Sequence, residues 1–240
     1  MRNEDSWIIR LYAWLCQRLY HELAWTYDWV GRAVSAGRMT YWRRQALAYL
    51  PAVLPGSGEP RVLELGFGTG ELLIDLARQG HNPYGLELSP AMQGVALQKL
   101  NSLGLRPPRV RSQAQAIPFA TGSFTAIIAT FPTRYILDEQ TLRECARLLA
   151  PGSGSNGNTG GCLIIVGLWV ALRPPALARL IPVFYGEPPR EFMTQVEERL
   201  ATAGFVSEWA PFHDGVATIS VLIGRLAPPE SDSALDRLIR

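Results

Sequence analysis

Glu64-Leu65-Gly66-Phe67-Gly68-Thr69-Gly70 stands between an apolar strand candidate, Arg61 to Leu65, and a helix candidate, Gly70 to Gln79, closed on its C-terminal side by Gly80. Glycines at alternate positions remove the side chains that would obstruct a sharp strand-to-helix turn. They also let backbone N–H groups and the start of the helix approach a ligand closely. Such a loop suits a nucleotide-like molecule. Its spacing is GxGxG, whereas a dinucleotide fingerprint requires GxGxxG, and Glu71 stands where the third glycine of that fingerprint would fall. A carboxylate at that position conflicts with a pyrophosphate and has no conflict with a cationic ligand.

Working outward, Pro83 to Glu87 reads as the second strand, and Ser89-Pro90 opens the next helix with a cap followed by a first-turn proline. Glu87 ends that strand, where a carboxylate accepts hydrogen bonds from two ribose hydroxyls. Arg109 to Ser112 is a third strand. Phe124 to Thr130 is a fourth, nearly all apolar, as a strand covered on both faces should be. A helix over Asp138 to Leu149 precedes a fifth strand, Cys162 to Gly167. Arg190 to Ala203 is again helical and is stopped by Gly204, and strands at Phe205 to Trp209 and Ala217 to Leu226 pair at the end of the sheet. The alternation predicts a doubly wound α/β fold with a mostly parallel sheet.

The chain's 240 residues, 48% hydrophobic and 18% charged, fit one α/β domain with a few additions. A net charge of +2 gives no case for nucleic acid. Cys16, Cys145 and Cys162 form no CxxC pair and lie among apolar neighbours, which predicts buried thiols and no metal site. Arg10 interrupts the first apolar run, so no signal peptide is read, no span is long enough to cross a bilayer, and a cytoplasmic protein is expected.

Residues 1–54 form an N-terminal helical cap of the same domain. Ile8, Leu11, Tyr12, Leu15, Leu19 and Leu23 make an apolar stripe, and a second helix spans about residues 38 to 50. Residues 151–161, rich in Gly, Ser and Asn, read as a mobile loop. The proline-broken, apolar stretch 168–189 reads as a substrate lid, and 228–240 as a flexible tail.

VLELGFGTGELLIDLA and YGLELSPAM resemble the first two motifs of the class I S-adenosylmethionine-dependent methyltransferases. AQAIPFATGSFTAIIA is similar to the third stretch of that family, and LRECARLLAPG to the helix and turn before its fifth strand. The likeness is nearest to the ubiquinone/menaquinone biosynthesis type of small-molecule methyltransferase. It implies a Rossmann-like, seven-stranded sheet over residues 55–227 and S-adenosylmethionine as cofactor. It implies that Glu64 and the backbone at Gly66, Gly68 and Gly70 hold the methionine part, that Glu87 holds the ribose and that Leu88 lies against the adenine. Gln115, Ala116 and Ile117 would flank the opposite face of the base, with Thr130 at the end of the fourth strand. The chain departs from the family pattern at Gln113 and Thr125, where aspartates are common.

Methyl transfer requires alignment of donor and acceptor more than a catalytic triad, so the lack of one does not count against an enzyme. The candidates for the catalytic side are His21 as a base, Tyr27 in a Tyr-Asp pair that the family folds over its cofactor, and Arg134 and Tyr135 beyond the fourth strand. The greasy surroundings of the cap and lid suit a small, hydrophobic acceptor such as a lipid or quinone precursor. The tryptophans outside the core strands would equally suit peripheral contact with a membrane. Either a monomer or a homodimer is compatible with this reading. The rivals are a binding protein of the same fold that has lost catalysis and an NAD-dependent oxidoreductase. The second is disfavoured by the glycine spacing and by the presence of a single lysine, Lys99.

Overall fold

A computed structural model describes residues 35, 37–51, 60–151, 160–172 and 188–227. The expected first helix, the loop after Pro151, most of the 168–189 lid and the tail lie outside the described residues, as do His21 and Tyr27. Among the described residues, eight strands form one sheet: β1 (Arg61–Leu65), β2 (Asn82–Leu86), β3 (Arg109–Val110), β4 (Ala126–Thr130), β5 (Cys162–Leu172), β6 (Phe205–Trp209), β7 (Phe212–His213) and β8 (Ala217–Leu226). Their order is β3-β2-β1-β4-β5-β8-β6, with β7 also paired to β8. Strands β1 to β5 run parallel, and β8 is antiparallel to both β5 and β6. The eighth strand is the two-residue β7, which Pro211 separates from β6.

The helices are α1 (Met39–Arg44), continued by a 3₁₀ turn Gln45–Tyr49, then α2 (Glu71–Arg78), α3 (Pro90–Ser102), α4 (Glu139–Leu148) and α5 (Arg190–Thr202). The period of two along each strand separates two cores. Leu63, Leu65, Ile127, Leu163 and Ile165 face Leu142, Cys145 and Leu148 of α4 and Val196 and Leu200 of α5. Val62, Ile128, Ile164 and Val166 face Trp42 of α1 and Leu72 and Leu76 of α2. With both faces covered, the central strands gain from continuous apolar composition, which is why β4 reads as an unbroken apolar run.

Strand β5 runs past its expected end at Gly167. Gly167 has φ 77, and the pairing with β8 shifts between Val166 and Val170 before resuming to Leu172. An added Cβ at Gly167 would stand 2.4 Å from the Phe131 ring, so the bulge needs glycine for conformation and for space. Cys145 and Cys162 are buried, and burial pushes their thiols up to about 12 and about 11.

The order reverses direction between β1 and β4, because β1 leads to β2 on one side and the later strands lie on the other. The crevice beyond the carboxyl ends of these two strands is where an open α/β sheet holds its ligand. The loop after β1, Glu87 after β2 and Phe131 to Tyr135 after β4 all open onto that edge.

Candidate active site

The glycine loop takes backbone conformations that side chains resist: φ is 68 at Gly66, 54 at Gly68 and 82 at Gly70. It is tied to β2 by the Gly66 N–H, which donates to the Leu86 carbonyl at 2.7 Å. A Cβ at Gly66 would lie 2.7 Å from the Tyr135 hydroxyl, whereas one at Gly68 would meet nothing within 4 Å. Gly68 therefore has free space where a side chain would stand. Gly70 is different: it precedes α2, and a Cβ there would come within 3.1 Å of Ala96, so its small size lets α3 pack closely. Glu71, whose presence argued against a pyrophosphate, is paired with Lys99 of α3 at 2.6 Å.

Glu87 is only 2% exposed. Its Oε2 accepts the Gly68 N–H at 2.9 Å and its Oε1 the Ser89 N–H at 2.8 Å, so one carboxylate fixes both the glycine loop and the start of α3. Gln93 reinforces the turn by donating to the Glu87 carbonyl at 2.8 Å. Leu88 is 50% exposed, an apolar surface beside a buried acid.

Glu64 lies one residue before the end of β1, on the face of Val62, and is 1% exposed. Its Oε2 has no hydrogen-bond partner among the described residues. Burial pushes the carboxyl up to about 8; Arg43 opposes this, Glu87 adds to it, and the Leu73 N–H in the first turn of α2 also opposes it. An orphaned buried acceptor is costly and calls for a partner, as a cationic ligand group beside Gly66 would be.

The remaining candidates fall in three places. Ile117 is buried and donates its N–H to Glu144 at 2.9 Å, Gln115 is half-buried, and Ala116 and Gln113 are exposed and joined by the Ala116 N–H to Gln113 carbonyl bond at 3.1 Å. Thr130 is half-buried at the end of β4. Thr125 precedes β4 at the opposite edge of the sheet and donates its hydroxyl to the Arg61 carbonyl at 3.0 Å, a structural role. Arg134 is exposed. Tyr135 donates its hydroxyl to the Leu65 carbonyl at 3.1 Å, and burial, with the charges of Glu87 and other neighbours, holds its phenol well above the ordinary range. It braces the glycine loop from below and is held neutral.

Sequence reasoning missed the fastening of the cap. Asp214, in the turn between β7 and β8, accepts Trp42 Nε1 at 2.5 Å, Arg38 at 3.2 Å and the backbone N–H groups of Val216 and Ala217. Burial alone would raise this carboxyl, but these bonds outweigh it and hold it below the usual range. Trp42 in turn lies 6.4 Å from Phe131, a non-glycine residue at φ 49 after β4. An Asp-Gly pair after a short strand signals the turn, but nothing local signals its partners. Arg44 and Asp75 add a two-bond pair, at 2.8 and 2.7 Å, between α1 and α2.

Residues 62–152 match a methyltransferase domain family. A demethylmenaquinone methyltransferase of Thermus thermophilus is 34% identical over 137 residues, 56% of this chain and 60% of that one. That of Chlorobaculum parvum is 29% identical over 171 residues, 70% of this chain and 66% of its own. Over this stretch the chain is similar to methyltransferases. It spans under two thirds of the length of these relatives, and the matched family region, residues 62–152, includes the glycine loop and Glu87. The solved structure of geranyl diphosphate C-methyltransferase from Streptomyces coelicolor, in complex with Mg2+, geranyl diphosphate and S-adenosyl-L-homocysteine, shares the fold. Its TM-score is 0.57 at 13% identity, over 78% of this chain and 79% of that one.

Proposed function

We propose that this chain transfers a methyl group from S-adenosylmethionine to a small, apolar acceptor of the quinol type by direct displacement. The observation that carries the reading is the set of Glu64, with its orphaned Oε2, the open backbone at Gly68, and the buried Glu87 that grips the loop, gathered at the crevice between β1 and β4. These residues fit the cofactor: an acid for its ammonium group, glycine backbone for its methionine chain, a carboxylate for its ribose and the exposed Leu88 for its adenine. The Thermus and Chlorobaculum relatives support a quinol-like acceptor.

When bound, S-adenosylmethionine supplies a methyl carbon already activated by the positive sulfur. The protein's own contribution is alignment and exclusion of water. Glu87 sets the height of the loop and the ribose together. Tyr135 keeps the Leu65 carbonyl occupied and the glycine turn from sagging. Phe131, against Trp42 and Gly167, supplies an apolar wall beyond β4 on which a flat acceptor can rest. A base is needed only for an acceptor that loses a proton as it attacks.

The test is incubation of the full chain with methyl-labelled S-adenosylmethionine and a reduced, ring-demethylated 1,4-naphthoquinone. Label extracted into the organic phase is the expected outcome. Label that stays in the cofactor, while S-adenosylhomocysteine still binds, would leave a binding protein without this activity.

A further inference from the structure

We infer that the cofactor's ammonium, on reaching the acid assigned to it above, displaces the proton that the buried Glu64 carboxyl carries in the free protein. The inference rests on the proposed cofactor and adds a proton to its binding equilibrium. In the free protein, Glu64 is buried at 1% exposure with Oε2 unpartnered among the described residues. A bare carboxylate in that position has lost its water and gained one incomplete set of hydrogen bonds, so the neutral acid is favoured.

The charged groups around it do not reverse this. Arg43 of α1 and the Leu73 N–H of α2 favour the ionised form, whereas Glu87 after β2 and Asp75 of α2 oppose it; burial outweighs them all, bringing the carboxyl to about 8. Asp75 is already engaged by Arg44, which spends that guanidinium elsewhere. Tyr135, the remaining titratable neighbour, is held neutral on the Leu65 carbonyl.

An arriving ammonium supplies what the site lacks, a cation and hydrogen-bond donors at the unpartnered oxygen. The carboxylic acid then gives its O–H proton to the buffer, and a carboxylate–ammonium pair remains. No other bond forms or breaks. The consequence is that affinity for a ligand with this ammonium rises with pH as Glu64 titrates, and that binding near neutral pH releases about one proton.

Calorimetric titration of the full chain with S-adenosylhomocysteine, in phosphate and in Tris near neutral pH, counts that proton from the difference in observed enthalpy. About one proton released per site is expected. Release should fall to near zero for Glu64→Gln, and for 5′-methylthioadenosine, which lacks the amino-acid end. Binding of S-adenosylhomocysteine with the same enthalpy in both buffers would overturn the inference and leave the cofactor assignment standing. No binding at all would overturn both. Should Glu64→Gln fail to fold, the two ligands on the unaltered chain decide: equal proton release by both refutes the exchange.

Discussion

The two sides of the crevice are built differently. On the side proposed for the cofactor, Glu64, the glycine loop, Glu87 and Ser89 lie within 26 consecutive residues, and their contacts are largely backbone to side chain at short range, such as the Glu87 bonds to Gly68 and Ser89. On the side proposed for the acceptor, Trp42 reaches Asp214 across 172 positions of chain, and Phe131 is seated by Gly167 from the neighbouring strand. The first is a local motif that any chain of this pattern can form once β1 and β2 pair. The second exists only after the sheet has closed, so it can be altered without touching the first.

The largest effect expected from that division concerns stability. Asp214→Ala removes the acceptor of Trp42 and Arg38 and strands two backbone N–H groups. A loss of about 3 kcal/mol in unfolding free energy by urea titration is expected, with S-adenosylhomocysteine affinity changed by less than about threefold. A parallel collapse of affinity would show that the two sides are one unit.

Glu87→Ala should have the reverse signature. It releases the Gly68 and Ser89 N–H groups and the ribose contacts, and weakens S-adenosylhomocysteine binding by about 1.5–3 kcal/mol, roughly tenfold or more by titration. Unchanged affinity would remove Glu87 from the site and shift the cofactor side away from this motif.

The effect that is smallest per step, rather than in total, sharpens the comparison through pH. In the folded, ligand-free chain Glu64 keeps its proton up to about 8, whereas in the unfolded chain it releases it near 4.5. Stability from this group is thus complete below the unfolded value and is lost as pH rises through the folded one. The slope is at most about 1.4 kcal/mol per pH unit. Thermal melts from mildly acid to mildly alkaline pH should fall for the natural chain and fall less for Glu64→Gln. An equal fall in both would mean that the loss comes from another group.

The cofactor half was legible because its determinants are periodic or conformational. Alternating glycines announce positive φ, an acid at a strand end announces a carboxyl edge, and Ser89-Pro90 announces a cap, which Ser89 makes by accepting the Met92 N–H at 3.4 Å. Strand β4 was legible from its apolar run. Less legible was what those residues touch. Gly70 packs against Ala96 of α3, and Tyr135 donates to the Leu65 carbonyl. Strand β5 was expected to stop at Gly167, where a bulge lets it continue.

By itself, the order of residues determined the strand–loop–helix units and the acids near the ends of β1 and β2, because each depends on neighbours a few positions away, and the alternation of those units determined a mostly parallel sheet. Only the tertiary structure decided that Glu64 would be sealed with one oxygen unpartnered among the described residues, that Glu87 would clamp Gly68, and that Asp214 would tie Trp42 beside Phe131. Burial and long-range partners set the charge of a carboxyl and the shape of a pocket, and neither can be read from the spacing of letters along one segment.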